Sequence, residues 1–94
     1  MIAKLVHNED LEFSNNFKSI CEQNDISYEI YDMRYTADKK KGFKIKGAFS
    51  ARLDPFIGIY KDDGTHLKGF YSEANECTLN NFKEFIYAQN TSIR

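Results

Sequence analysis

The chain has 94 residues, of which 41% are hydrophobic and 15% aromatic, and its formal net charge at pH 7 is -1. A chain of this size can bury a core without help from a metal or a disulfide, so we expect one domain over residues 1–94 and exclude two. The nearly balanced charge does not indicate nucleic acid as a partner.

The N-terminal seven residues do not have the pattern of a targeting signal. Their apolar run is too short for the core of a signal peptide, and no segment approaches the length of a membrane span. Cys21 and Cys77 lie far apart in the sequence, which favours reduced thiols over a disulfide. We therefore expect a cytoplasmic protein without membrane contact.

The first third of the chain predicts a strand, a helix and a second strand. Residues 3–7 alternate weakly between apolar and polar, as in a strand, and a polar turn follows at residues 8–10. The next segment has an apolar stripe at helical spacing, and acidic residues near its start suit the positive end of a helix dipole. That stripe consists of Phe13, Phe17, Ile20 and Cys21. Residues 26–33 then predict a second strand, whose polar side suits a sheet edge.

The segment from residue 34 to residue 49 has the weakest pattern. Thr36 is a candidate N-cap for a short helix that ends at Lys41, because Gly42 and Gly47 are expected to prevent a longer one. The segment also concentrates positive charge, in Lys39, Lys40, Lys41, Lys44 and Lys46.

Residues 54–71 give the clearest signal, that of a β-hairpin. Residues 56–60 are β-formers on both faces, so helices should cover this strand on two sides. Asp63 and Gly64 supply the positive φ angles of a tight turn. After a loop at residues 72–77, Thr78 is a candidate N-cap for a last helix, and residues 90–94 should fray. The apolar face of that helix consists of Leu79, Phe82, Phe85 and Ile86.

The order strand, helix, strand, helix, strand, strand, helix, with Pro55 directly before the third strand, resembles the thioredoxin and glutaredoxin fold. The resemblance covers almost the whole chain and is most specific over residues 49–85. It implies one α/β domain with a four-stranded mixed sheet of order 2-1-3-4, flanked by helices. It also implies a cis bond between Asp54 and Pro55.

The part of that family that performs redox chemistry is missing. Where the family carries Cys-X-X-Cys, at the start of the first helix, this chain has polar and acidic residues and no cysteine. Dithiol exchange needs a thiolate there, which negative charges oppose. Asp54 replaces the small or apolar residue that usually precedes the cis proline, and adds another negative charge. The sequence therefore favours a protein without enzymatic activity.

We expect a redox-inactive binding domain that engages a protein partner through two loops at one end of the sheet. A third loop, residues 72–76, should lie beside them. The predicted site residues are Asn8, Glu9, Asp10, Leu11, Arg52, Leu53, Asp54 and Pro55.

Two alternatives use other residues. Cys77 lies directly before the last helix, whose N–H groups favour a thiolate, so it is the candidate for a glutaredoxin-like accessory with a single thiol. The lysines of residues 39–46 are the candidate surface for nucleic acid or an acidic partner, although such charge runs are usually solvated. Phe43, Ile45 and Phe49 are expected to anchor that segment to the sheet.

The remaining reactive residues give no sign of a cofactor. Cys21 lies on the apolar stripe of the first helix and is expected to be a buried, inert thiol. His7 and His66 have no spacing with cysteines or carboxylates that indicates a metal site, and His7 is expected at a strand end or on the surface. No cofactor motif occurs.

Overall fold

The computed structural model describes residues 1–92, and the side chains of residues 1–89. Within them, four strands form one mixed sheet in the order β2-β1-β3-β4. The strands are β1 (Ile2–His7), β2 (Ser27–Asp32), β3 (Phe56–Tyr60) and β4 (His66–Tyr71). The helices are α1 (Leu11–Gln23), α2 (Thr36–Ala48) and α3 (Leu79–Ser92). The predicted α/β class and the predicted strand order are confirmed.

The strand directions bring four strand termini to one end of the sheet. β1 runs parallel to β2 and antiparallel to β3, and β3 pairs antiparallel with β4. His7 lies opposite Asp32, and Phe56 lies opposite both Val6 and Tyr71. The segments that follow β1, β2 and β4, and the one that precedes β3, therefore meet at this end, which we call the loop end. β2 lies at the edge of the sheet, as predicted.

Helices α1 and α3 cover one face of the sheet. The rings of Phe17 and Phe82 are fully buried, and their centroids lie 5.0 Å apart. They pack over Leu5 and Ile57 in the larger of two apolar clusters. Cys21 is buried in the same cluster, as its place on the apolar stripe predicted.

Helix α2 covers part of the opposite face. Ile45 packs there in a second cluster with Val6 and Phe56. β3 therefore has helices on both sides, and all five of its residues are buried. This confirms the prediction made from its β-formers on both faces.

The predicted length of α2 is wrong, because the helix continues through both glycines to Ala48. Thr36 is its first residue, and the N-cap is Tyr35, which makes no capping side-chain bond. A Cβ added at Gly42 would lie 2.4 Å from the Met33 sulfur, so the glycine allows the helix to approach the sheet closely. The packing of α2 on the sheet outweighs the low helix propensity of glycine.

The hairpin turn also differs from its prediction. The Gly64 φ angle is +89°, whereas Asp63 does not have a positive φ. The Lys61 amide donates to the Thr65 carbonyl at 2.8 Å, so the loop contains three residues and not two. A loop of this length is commonly a type I turn followed by a left-handed glycine.

The start of α3 agrees with its prediction. The Thr78 hydroxyl accepts a hydrogen bond from the Asn81 amide at 3.1 Å, which is N-cap geometry. Helix α3 continues to Ser92, beyond residue 90, where fraying was expected to begin. The rest of that prediction, for residues 93 and 94, lies outside the described residues.

Candidate functional site

The strand register brings the predicted binding loops together at the loop end. Val6 pairs with Phe56, so the residues after β1 and those before β3 continue side by side. The Ser72 hydroxyl donates to the Pro55 carbonyl, and the Arg52 amide donates to a Glu73 carboxylate oxygen at 2.8 Å. The structure therefore places residues 8–11, 52–55 and 72–76 at the same end of the sheet. The Asp54–Pro55 bond is cis, as the resemblance implied.

The charge of Asp54 is balanced within the chain. Its Oδ1 atom lies 2.8 Å from the Lys46 Nζ in the last turn of α2. Lys46 is only 5% exposed, so this ion pair is largely shielded from water. Asp54 therefore fixes the loop before β3 to helix α2. Lys46 is correspondingly not a free cation of the lysine segment.

A second charged cluster, which the sequence analysis did not find, lies at the ends of β1 and β2. The Asp32 carboxylate accepts hydrogen bonds from the Arg34 guanidinium, the closest from Nη2 at 2.7 Å. It also accepts from the Arg34 amide at 3.1 Å and the Glu9 amide at 3.4 Å. The Arg34 side chain holds the pKa of the Asp32 carboxyl well below its usual range, although burial opposes this effect. The cluster ties the loop after β1 to the loop after β2.

His7 supports the turn that leads into α1. Its Nδ1 atom accepts a hydrogen bond from the Asp10 amide at 3.1 Å, and its Nε2 atom lies 4.0 Å from the Asp32 Oδ2. Asp10 in turn accepts from the Phe13 amide at 3.2 Å, as an N-cap of α1. His7 is buried at a strand end, which fits a role in holding the loop.

Large apolar side chains are exposed at the same end of the molecule. Leu11 opens α1 and is 56% exposed, and Leu53, in the loop before β3, is 53% exposed. Tyr35, in the loop after β2, is 57% exposed. The loop end thus combines paired charges with unburied apolar surface, which is the composition of a contact surface for a protein.

Neither cysteine has the properties of a nucleophile. Burial raises the pKa of the Cys77 thiol to about 12, while contacts with Ser72 and the Ile57 backbone lower it less. Burial, together with the Glu22 carboxylate, raises the pKa of Cys21 to about 12 as well. Both groups are therefore thiols at neutral pH, whereas exchange and metal binding need the thiolate.

The lysine segment is divided between several environments. Lys39, Lys40, Lys41 and Lys44 are exposed on α2, whereas Lys46 is buried. Phe43 is 55% exposed, so the expectation that it anchors the segment is wrong. Ile45 and Phe49 do anchor it: Ile45 is buried in the second cluster, and Phe49 packs against that cluster.

The described part of the chain contains neither a metal-binding group nor a membrane-spanning helix. Within residues 1–92, no three His, Cys, Asp or Glu side chains form a group that could hold a metal ion. The helices in this range are also too short or too polar for any of them to cross a membrane.

The sequence analysis did not predict that Asp32 pairs with Arg34, that Asp54 pairs with Lys46, or that His7 holds the turn before α1. The pattern of an acidic residue at a strand end, two residues before an arginine, was visible and could have indicated the Asp32 pair. The pairing of Lys46 with Asp54 had no such signal, because it depends on where α2 ends.

Comparisons with known proteins add nothing to this geometry. No family model, no curated protein and no solved structure matches the chain. Function is therefore inferred from the side chains at the loop end and from their chemistry.

Proposed function

We propose that this protein is a thioredoxin-like domain that has lost its dithiol and works in the cytoplasm as a non-catalytic binding domain for another protein. Three features support the fold relationship: the order of the elements, the sheet order β2-β1-β3-β4 and the cis proline directly before β3. A fold of this kind can keep its scaffold while its site changes, because function depends on the residues at the site.

The exposure of Leu11, Tyr35 and Leu53 at the loop end carries the proposal. Burying apolar surface contributes about 25 cal/mol per Å² to association, so three such side chains are effective anchors. The neighbouring carboxylates of Asp32 and Asp54 already have partners within the chain. A protein that covers these three side chains gains apolar contact and leaves Asp32 and Asp54 with their partners.

The absence of a thiol in residues 8–11, where the resembled family carries its dithiol, supports a non-catalytic role. Residues 8–11 contain no cysteine, and Asp10 uses its carboxylate to cap α1. The alternative of a single reactive thiol has little support, because Cys77 is partly buried and its pKa is raised to about 12.

Affinity capture with matched variants tests the proposal. Wild type, the double variant Leu11→Ser with Leu53→Ser, and the control Phe43→Ser are immobilised and exposed to extract of the native host. Phe43 is as exposed as the two leucines but lies on α2. We expect one protein that wild type and the control retain and the double variant loses.

Equal capture by all three chains would contradict the proposed surface. Circular dichroism melts should first show that the three fold alike, since all three replaced side chains are more than half exposed.

A further inference from the structure

A groove of about 270 Å³ lies between the side of α2 and the sheet, and the loop-end proposal does not use it. Helix α2 leaves part of this sheet face uncovered, and side chains from α2 and three strands line the space. The charged and aromatic residues of the lining are Lys4, Tyr31, Lys41, Lys44 and Tyr60. None of them belongs to the loop end.

The positive charge of the groove exceeds its negative charge. Lys4 is the only one of its lysines with a carboxylate nearby, Glu29, at 3.8 Å, among residues 1–92. In the same part of the chain, no carboxylate oxygen lies within 4.0 Å of the Lys41 or Lys44 ammonium. These two lysines are three residues apart on one helix, so their side chains extend from the same side. The groove thus presents two unpaired ammonium groups to one ligand.

Two tyrosines also line the groove, together with Ile45 and Ala48. Tyr60 is buried in β3, and the Lys4 ammonium lies 4.7 Å from its ring centroid. The Tyr31 hydroxyl donates to Glu29, which leaves the ring of Tyr31 as the surface towards the groove. Aromatic walls favour a planar ring in the ligand, because offset or edge-to-face contact adds to the burial of apolar area.

We propose that this groove binds a small aromatic phosphate monoester, of which a nucleoside monophosphate is the model compound. The phosphate carries a charge of about -1.5 to -2 at neutral pH, which matches the two unpaired ammonium groups of Lys41 and Lys44. The planar ring lies against Tyr31, because the Tyr60 ring is only 8% exposed and already contacts Lys4, Phe49 and His66. The volume of about 270 Å³ lies just below the usual range of about 300–1,000 Å³ for ligand pockets, so the ligand must be small.

Calorimetric titration at low salt with adenosine monophosphate, adenosine and inorganic phosphate tests the site. Adenosine monophosphate should bind about tenfold or more tightly than either fragment, because only it contacts both the lysines and the Tyr31 ring. The double variant Lys41→Gln with Lys44→Gln should weaken this binding about tenfold or more.

The matched control is Lys39→Gln with Lys40→Gln, which removes the same charge from exposed positions of the same helix outside the groove. It should change the affinity for adenosine monophosphate by less than about threefold, because Lys39 and Lys40 act on the phosphate only at a distance, where salt screens their charge. Tyr31→Leu should weaken binding of the nucleotide and leave inorganic phosphate unaffected.

Three results would overturn the inference: no binding of adenosine monophosphate at millimolar concentration, equal affinity for the nucleotide and for inorganic phosphate, or equal losses in the two lysine double variants. The last result would show a general attraction to anions along α2. None of these outcomes bears on the loop end, so this inference and the proposed function fail independently.

Discussion

The loop end and the groove differ in whether their charged side chains form ion pairs within the chain. At the loop end, Asp32 pairs with Arg34 and Asp54 pairs with Lys46, while large apolar side chains face solvent. In the groove, the apolar and aromatic surface forms the walls, and Lys41 and Lys44 have no ion pair within the described residues. Charges that are satisfied internally leave apolar contact as the means of recognition, whereas unpaired charges select a ligand of opposite charge. The two surfaces therefore suit different partners.

Helix α2 connects the two surfaces. Lys46 in its last turn holds the loop before β3, and Lys41 and Lys44 extend from its side into the groove. Changes that loosen α2 should disturb both surfaces, and changes in one ion pair should disturb one.

The largest expected effect comes from Asp54→Ala, which leaves the buried Lys46 ammonium without its partner. Removing one member of a buried pair costs about 3–5 kcal/mol, and we expect the low end, about 3 kcal/mol, because the Asp54 side chain is 23% exposed. Urea unfolding measures the loss. The control is Asp62→Ala, whose partner is the N-terminal amine and whose side chain is 87% exposed, and it should cost less than about 1 kcal/mol. Equal costs would show that the Asp54 pair does not fix the loop.

The next largest effect is expected for alanine substitutions at the two glycines of α2, Gly42 and Gly47. Gly42→Ala forces a Cβ to within 2.4 Å of the Met33 sulfur and should destabilise the protein by about 1–2 kcal/mol, even though alanine favours the helix. At Gly47 nothing lies within 4 Å of the added Cβ, so Gly47→Ala should stabilise by about 0.5–1 kcal/mol. Thermal melts of the two variants measure the difference. The same sign for both would mean that Gly42 does not set the distance between α2 and the sheet.

Acid sensitivity tests the Asp32 cluster. Because Arg34 lowers the Asp32 pKa in the folded state, the ionised carboxylate stabilises the fold above its ordinary pKa of about 3.8, and this contribution is lost as pH falls through the lowered value. Wild type should exceed Asp32→Asn by about 1 kcal/mol at pH 7, and the difference should shrink below about pH 4. The pKa values of Asp63 and Glu73 are also lowered, so these residues add to the acid sensitivity of stability. Because both residues are present in wild type and in Asp32→Asn, their contributions cancel in the difference between the two proteins. A difference that is constant from pH 7 to pH 2 would contradict this assignment.

The smallest effect is expected at Cys77. Since burial raises its pKa to about 12, disulfide reduction assays with glutathione should give background rates for wild type and for Cys77→Ser alike. Iodoacetamide should modify Cys77 more slowly than a free cysteine at pH 8. Turnover that disappears in Cys77→Ser would instead support the single-thiol alternative.

Much of the fold could be predicted because its signals are local. The spacing of Phe13 and Phe17 locates α1, and the run of β-formers before Asp63 and Gly64 locates the hairpin. The strand order came from the resemblance, and the structure agrees with it. These predictions were correct because the local periodicity and the turn residues favour the same structure as the tertiary packing.

The parts that could not be predicted depend on three-dimensional contacts. Gly42 was expected to end a helix, yet it packs against the Met33 side chain, which an added Cβ would force to move. The Asp54–Lys46 pair and the groove both require the position of α2 on the sheet, which no short-range pattern contains. The sequence therefore indicated which loops meet at the loop end, and missed the ion pairs that hold them.

The most direct test of the central claim is an amide hydrogen-exchange footprint of the protein with and without its captured partner. The account predicts slower exchange in the complex at residues 8–11 and 52–54, with the exposed part of α2, residues 39–44, unchanged. Phe43→Ser should give the same footprint, and Leu53→Ser should weaken it. Protection confined to α2 or α3, with the loop end unchanged, would contradict the proposed binding surface.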